Sequence, residues 1–565
     1  MAKKLKNYNV LVKALDNFSL ISLDVNVFNK KGENVFKKIK ESAASVFPDP
    51  YLSFIEENGE PFTLKTYKTS KKWDGTLEYS TDAAAWSEWN GIEINSSQDG
   101  KLYLRGTGNT TMGTKAYESN FVLSTNKKIQ CIGSIETLLD YKIARVNKHP
   151  AMAESCYNQM FYDCASLTQA PELPATTLAA SCYSNMFYGC TGLTKAPNLP
   201  ATTLAADCYG YMFSSCSNLT QAPELPATTL AERCYKGMFI GCDSLTTAPE
   251  LPATTLADSC YYSMFYNCKS LTTVPNLPAT TLAAYCYYDM FAGCASLIQA
   301  PELPATALAE RCYREMFYAC TGLTKAPNLP ATTLAAYCYY DMFKGCSNLT
   351  QAPELPATTL AKGCYHSMFS NCSSLAQAPE LPVATLAEDC YYEMFKGSNL
   401  TQAPELPATT LAKGCYHGMF SGCSKLTKAP GLPATTLAVS CYYEMFQGCF
   451  NLTQAPELPA TTLAEYCYTS MFSGCSKLTK APELPATTLA DSCYYSMFYN
   501  CKSLTAAPNL IATTLAEDCY RSMFGGNCDG LRNKSIHVAA SVQYSSYVIR
   551  STTDTPMWTN IVFDL

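Results

Sequence analysis

Histidine and tryptophan are scarce in this 565-residue chain, at four each, and charged residues make up only 16% of it. His149, His366, His417 and His537 stand in unrelated settings, so no imidazole can serve a repeated acid, base or metal site. Neither His-Glu-x-x-His, Gly-x-Ser-x-Gly nor a phosphate-binding loop occurs, and Gly106-Thr107-Gly108 is too short for a nucleotide fingerprint. The sequence thus offers no catalytic residue, no metal ligand set and no cofactor site. No run approaches the roughly 18 apolar residues that a membrane helix needs, and no membrane insertion is expected. Met1 to Tyr8 is basic but has neither the apolar run nor the cleavage site of a secretory signal, which argues against Sec export. A net charge of −6 supplies no global positive field for nucleic acid. Locally, nine lysines between Lys3 and Lys40 face only Asp16, Asp24 and Glu33. Such a segment is either a solvated surface or a docking arm for an acidic partner.

What the chain has in quantity is a repeat. Cys-Tyr begins at Cys156 and returns every 26 residues to Cys390, then after one 25-residue step at Cys415, and every 26 residues again to Cys519. That makes fifteen copies of Ala-Pro-Glu-Leu-Pro-Ala-Thr-Thr-Leu-Ala-x-x-Cys-Tyr-x-x-Met-Phe-x-x-Cys-x-x-Leu-Thr-x. Within one copy Leu204, Cys208, Met212 and Cys216 stand four apart, and Ala205, Tyr209 and Phe213 form a neighbouring column. This spacing predicts an amphipathic helix with those seven side chains buried. Ala206-Asp207, Gly210-Tyr211 and Ser214-Ser215 should then face solvent. A short strand fits before Pro223, and Ala-Thr-Thr turns into the next unit with a threonine to cap it. One unit cannot bury its own stripe, but stacked units bury each other's, which is the logic of a solenoid.

Thirty cysteines admit a disulfide scaffold, zinc sites or reduced core residues. Zinc is disfavoured because the two cysteines of a unit lie eight apart with no histidine at ligand spacing. Two turns of helix span about 12 Å, beyond disulfide reach, and the unit containing Lys396-Gly397-Ser398 has lost its second cysteine altogether. Stacked buried thiols fit best, with bridges between units left open.

The repeat resembles the BspA-like class of leucine-rich repeats, whose units similarly run Cys-x-x-Leu, a short strand ending in Pro, then Leu and a late aromatic residue. The stretch from Ser535, Ser-Ile-His-Val-Ala-Ala-Ser-Val-Gln-Tyr, resembles the terminal cap of those arrays. Ala-Pro here replaces the family's usual β-branched residue. The resemblance implies a binding protein: members are typically bacterial surface adhesins, and related arrays occur in phage and eukaryotic surface proteins.

The expected architecture is an α/β leucine-rich-repeat-like solenoid of about fifteen 26-residue units behind a small β-rich domain. Its parts are an attachment or linker segment at 1–55, the β-rich domain at 56–148, the solenoid at 149–530 and a C-terminal cap at 531–565. Strands are expected at Trp73 to Ser80 and Gly100 to Gly106, with Trp86 and Trp89 between them. Candidate ligand contacts are the second tyrosines after Cys-Tyr, namely Tyr262, Tyr288, Tyr340, Tyr392, Tyr443 and Tyr495, with packing between neighbouring units as the alternative. A polar ladder flanks Ala-Pro, as in Gln221 with Glu224 and Lys195 with Asn198, and is either a binding face or a solvated one. The expected role is non-catalytic recognition of a host cell-surface glycan or protein. The missing export signal points to a virion component such as a phage tail fibre, docked on virion or tail proteins through the N-terminal region. A bacterial adhesin and a hydrolase targeted by the array are the alternatives, and a homo-oligomer is left open.

Overall fold

The computed structural model describes residues 51–68, 73–112, 120–124, 126–531, 534–539 and 558–563, all within one compact unit, Tyr51–Leu565. The lysine-rich segment, like nearly all of 1–55, lies outside the described residues. The boundary read at 55 cuts a strand, because β1 (Leu52–Glu56) lies inside a six-stranded sheet. The sheet also contains β3 (Thr76–Ser80), β4 (Ser87–Glu88), β6 (Lys101–Thr107), β8 (Ile129–Ile132) and β9 (Leu167–Gln169), in the order β4-β3-β6-β1-β8-β9. Strands β2 (Thr63–Thr66), β5 (Ile94–Asn95) and β7 (Phe121–Leu123) form a smaller sheet, β5-β2-β7.

The two strands expected around Trp73 and Gly100 are β3 and β6, paired antiparallel from Thr76↔Thr107 to Ser80↔Tyr103. Alternation drives them: Leu102, Leu104 and Gly106 turn inward while Lys101, Tyr103 and Arg105 are half-buried. Gly106 admits no side chain, since a Cβ there would meet the Leu138 carbonyl oxygen of helix α1 (Thr137–Ala144) at 1.7 Å. Trp89 is buried against Trp73, with centroids 5.7 Å apart, and its indole donates to the Ile92 carbonyl at 2.7 Å.

This domain closes one end of the array. Strand β9, the first strand of the repeats, adds parallel to β8 at Ile129↔Leu167, and the ladder continues through bridges such as Lys195↔Gln221, Thr247↔Thr273 and Lys428↔Gln454. On the opposite side of the first coil, the Phe121 amide donates to the Met160 carbonyl and the Met112 amide to that of Cys156. Phe54 and Phe121 pack on Phe161, so the core of the domain joins that of the array. A repeat end left open would expose that core. At the far end β10 (Lys534–Val538) covers the last coil through Leu510↔Val538 and pairs parallel with β11 (Trp558–Phe563).

The repeats depart from the expected helix. Between Ser155 and Cys164 every fourth residue, Ser155, Gln159 and Asp163, has φ near +60°, and the pattern recurs at Ser181, Asn185 and Gly189 and onward along the array. Each such residue starts a tight turn. The amides of Asn158, Met160, Tyr162 and Cys164 donate three residues back, to Ser155, Tyr157, Gln159 and Phe161. The intervening amides point along the array axis: Tyr157 donates to Cys182 at 2.9 Å, Gln159 to Ser184 at 2.9 Å and Phe161 to Met186 at 2.9 Å. Half the amides thus close local turns and half stitch one coil to the next, where a helix would have kept all of them to itself. The segment is a ribbon of consecutive turns, and α1 is the α-helix found among the described residues.

The burial expected from the spacing is present for six of the seven side chains, Ala205 being half-buried, because a four-residue turn repeat and a helix set the same residues inward. Cys208, Tyr209, Met212, Phe213 and Cys216 are all at most 1% exposed. The opposite face is not simply solvated: Gly210 and Ser214 are buried and Asp207 and Tyr211 half-buried, since neighbouring coils cover them. Inside, identical residues stack into ladders, Tyr157 on Tyr183 at 5.6 Å and 4°, Phe187 on Phe213 at 5.6 Å and 5°, and so on along the array. All thirty cysteines are free and buried. The second thiol of a coil donates to the preceding coil's Phe carbonyl, Cys190 to Phe161 at 2.9 Å and Cys216 to Phe187 at 3.0 Å. In the shortened coil Ser398 fills the slot but turns its hydroxyl onto its own coil, donating to the Phe395 carbonyl at 2.7 Å. Burial pushes the Cys216 and Cys372 thiols up to about 12, which leaves them un-ionised and unreactive.

Candidate binding faces

Two faces of the array carry side chains able to meet a ligand. On the first, the residues after the buried Cys-Tyr pairs from Lys236 to Tyr443 are half-buried at the surface, and here five of the six sequence-predicted tyrosines fall into one column. Tyr262 stacks on Tyr288 with centroids 4.6 Å apart and planes 5° from parallel. Lys236 lies 4.8 Å over Tyr262, and the Arg314 guanidinium sits between Tyr288 at 5.3 Å and Tyr340 at 4.2 Å. His366 is held between Tyr340 and Tyr392, at 4.2 and 4.4 Å, and His417 between Tyr392 and Tyr443, at 4.2 and 4.5 Å. The column therefore runs unbroken from Lys236 to Tyr443. Tyr495 is set apart from it by Thr469, with Arg521 5.9 Å above its ring.

The interleaved cations and imidazoles were not singled out as site residues, although they occupy the same slot of the repeat as the tyrosines. Burial, with Lys344 and Arg314 nearby, lowers His366 to about 3; burial likewise lowers His417 to about 4. Both rings are neutral at pH 7 and stack without repelling Arg314. Burial also pushes Tyr392 up to about 12. Because each ring's faces are taken by its neighbours, the column presents ring edges and hydroxyls outward. It offers no open aromatic platform between Tyr262 and Tyr443.

Beside this column stands an acidic one, unnoticed in the sequence, at positions with positive φ: Asp289, Glu315, Asp341, Glu393 and Glu444. Burial first, then Glu315, raises Asp289 well above the ordinary carboxylate range. Burial lifts Asp341 to about 6 even though Lys344 is 3.0 Å away. Arg314 pairs with Glu315 at 2.9 Å. The signal was the recurrence of Asp and Glu in a slot that elsewhere holds Gly, Asn, Ser, Gln159 or Tyr211. Among the described residues no group of three His, Cys, Asp or Glu side chains is arranged to hold a metal ion, and no helix is long and apolar enough to cross a membrane.

The second face lies along the Ala-Pro-Glu-Leu-Pro loops. Adjacent loops enclose a groove that recurs with the repeat: about 880 Å³ between Gln169 and Pro200, about 520 Å³ between Thr350 and Pro382 and about 640 Å³ between Gln454 and Pro485. Prolines and alanines form its floor. Gln or Lys stands on one lip and Glu or Asn on the other, as with Gln351 and Glu354 or Lys195 and Asn198. Parallel bridges such as Lys325↔Gln351 hold the lip in register.

The chain matches the family model described as BspA type leucine-rich repeat region (6 copies), over residues 147–272, 232–376, 290–427 and 388–523. It belongs to the BspA-type leucine-rich-repeat family. Such repeats are typically surface-associated and non-catalytic, and the family assignment is consistent with a surface or binding protein. No curated protein matches the chain.

Proposed function

We propose that the array is a recognition surface for an extended cell-surface glycan or protein, and that the chain serves as a virion appendage of the tail-fibre type, attached to virion or tail proteins through its N-terminal region. The observation that carries this reading is the recurrence of one groove from coil to coil. A face that repeats along an axis complements a ligand that itself repeats or extends, each contact adding to the last. The groove lips carry amide and charged groups able to donate and accept hydrogen bonds, above apolar walls. Tyr262, Tyr288, Tyr340, Tyr392, Tyr443 and Tyr495 enter this reading as a second contact line acting through edges and hydroxyls.

Labelled chain is applied to candidate host cells, and retention is compared with a variant carrying Gln351→Ala, Glu354→Ala, Gln377→Ala and Glu380→Ala. Strong retention of wild type and loss in the variant is expected. Equal retention would remove the groove between Thr350 and Pro382 from the contact. Detection of the chain in purified phage particles separates the virion reading from the adhesin reading, which predicts its presence on bacterial surfaces instead.

A further inference from the structure

One coil near the middle of the array breaks the pattern of its neighbours. The segment Ala-Ala-Tyr-Cys-Tyr-Tyr-Asp-Met-Phe occurs twice without change, at 283–291 and 335–343, and the coil between reads Ala-Glu-Arg-Cys-Tyr-Arg-Glu-Met-Phe at 309–317. Because the coils stack in register, Arg311 falls between Tyr285 and Tyr337, and Arg314 between Tyr288 and Tyr340. The Arg311 guanidinium lies 5.3 and 4.8 Å from its two ring centroids, and that of Arg314 lies 5.3 and 4.2 Å from its own. Tyr285 and Tyr288 are 6.0 Å apart and Tyr337 and Tyr340 are 6.2 Å apart, so the two guanidinium groups are held side by side. No other coil carries arginine in both slots.

Neighbouring cations repel each other, and stacking on four rings opposes their separation. Stacking uses the flat faces of a guanidinium and leaves its N–H bonds, which lie in the plane, for partners at the edge. The chain fills only part of that edge. Arg314 donates through Nε to Glu315 at 2.9 Å, and Arg311 donates through Nη1 to Glu310 and to the Tyr285 hydroxyl. Nη1 and Nη2 of Arg314, with Nε and Nη2 of Arg311, donate to no group among the described residues. Both side chains reach solvent, Arg311 being 26% and Arg314 25% exposed. Negative charge around them is limited. Glu310 and Glu315 each meet one arginine, Asp341 pairs with Lys344 at 3.0 Å, and burial holds Asp289 well above the ordinary carboxylate range.

We infer that Arg311 and Arg314 together bind a tetrahedral oxyanion, the phosphate or sulfate ester group of an extended cell-surface polymer. Such an anion has enough oxygens to accept from both guanidinium groups at once, whereas one arginine fork already saturates a carboxylate. Ring stacking fixes both forks before the ligand arrives, which lowers the entropy lost on binding. An organic cation is excluded by the charge of the pair. The site lies on the tyrosine column and is separate from the grooves. The polymer rests on the recognition role proposed above, but the anion site does not. A chain that binds the inorganic anion in solution yet is not retained on cells would leave this inference standing and remove the proposed function.

The test is isothermal titration calorimetry of the full-length chain at constant ionic strength, with tripolyphosphate, inorganic phosphate, sulfate and acetate each offered alone. Three variants accompany it. Arg311→Tyr with Arg314→Tyr gives the coil the residues its neighbours carry and so keeps the stack. Arg311→Lys with Arg314→Lys keeps the charge and loses the fork. Arg233→Gln removes an arginine already paired with Asp207 at 3.0 Å. A tetrahedral anion should bind and acetate should not. Both double variants should bind at least about tenfold more weakly with an unchanged melting temperature, the effect of losing charged hydrogen bonds, while Arg233→Gln binds as wild type does. Whether the phosphates or sulfate bind more tightly tells a phosphorylated polymer from a sulfated one. No binding of any tetrahedral anion, binding kept in either double variant, an equal loss in Arg233→Gln, or acetate binding as tightly as phosphate would overturn the inference.

Discussion

Two aromatic columns run side by side through the array and obey different rules. The inner one holds a tyrosine at every step from Tyr157 to Tyr520, with rings 5.6 to 5.9 Å apart and almost fully buried. The outer one holds Lys, Tyr, Arg and His in turn between Lys236 and Tyr443, with adjacent rings 4.2 to 4.6 Å apart and half-buried. Both stack because the coils repeat; only the inner one is closed to substitution, because its rings fill a space shared with Cys, Met and Phe. Solvent at one edge lets the outer slot take any flat or long side chain that can lie on its neighbour.

The largest effect should come from the inner space. Phe265→Ala, which removes a ring stacked between Phe239 and Phe291, should cost about 3–5 kcal/mol of local stability and be read as early unfolding in hydrogen exchange around coils 239–291. Tyr442→Phe, by contrast, should be neutral or mildly stabilising, because the Tyr442 hydroxyl is buried with no partner. A loss comparable to that of Phe265→Ala would show that the inner ladder depends on hydroxyl bonding, which the geometry does not provide.

Changing Tyr262, Tyr288 and Tyr340 to Ser should cost less, about 1 kcal/mol per lost stacking contact, and should weaken host attachment if ring edges and hydroxyls contact the ligand. A stability loss with attachment intact would make the outer column packing alone.

The smallest effect concerns pH. The folded His366 titrates near 3 against a usual 6.5, so its contribution is present above 6.5 and is lost as pH falls toward 3. Asp341 is raised from 3.8 to about 6, so its contribution is present below 3.8 and is lost as pH rises through 6. The two oppose each other between these limits. In thermal melts, His366→Tyr should remove the acid-side loss and Asp341→Asn the loss toward neutrality. Parallel pH profiles in wild type and both variants would contradict the assigned burial.

The solenoid, its core residues and its free thiols were legible because a 26-residue period with Leu, Cys, Met, Tyr and Phe in fixed slots can be buried only by stacking. The ribbon was not, because an apolar step of four suits a helix as well as a chain of tight turns. The discriminating residues were present: Gly189, Gly241, Gly293 and Gly345, with Asn267, Asn371 and Asn500 in the same slot, are the ones that tolerate positive φ. The tyrosines singled out in the sequence lie in one half-buried slot, but the use of their ring faces by neighbouring coils could not be read from spacing along one unit. The junction with the N-terminal domain depends on β7 meeting a coil some forty residues away, a contact no local pattern encodes.

The central claim is that the repeat is a stack of turn ribbons, each joined to the next by every second amide. Far-ultraviolet circular dichroism of the full chain tests it most directly. The account predicts that the repeats at 149–530 contribute almost no α-helical signature, helix among the described residues being confined to short segments such as Thr137–Ala144. A spectrum dominated by the helical double minimum, as one helix per repeat would give, would contradict it.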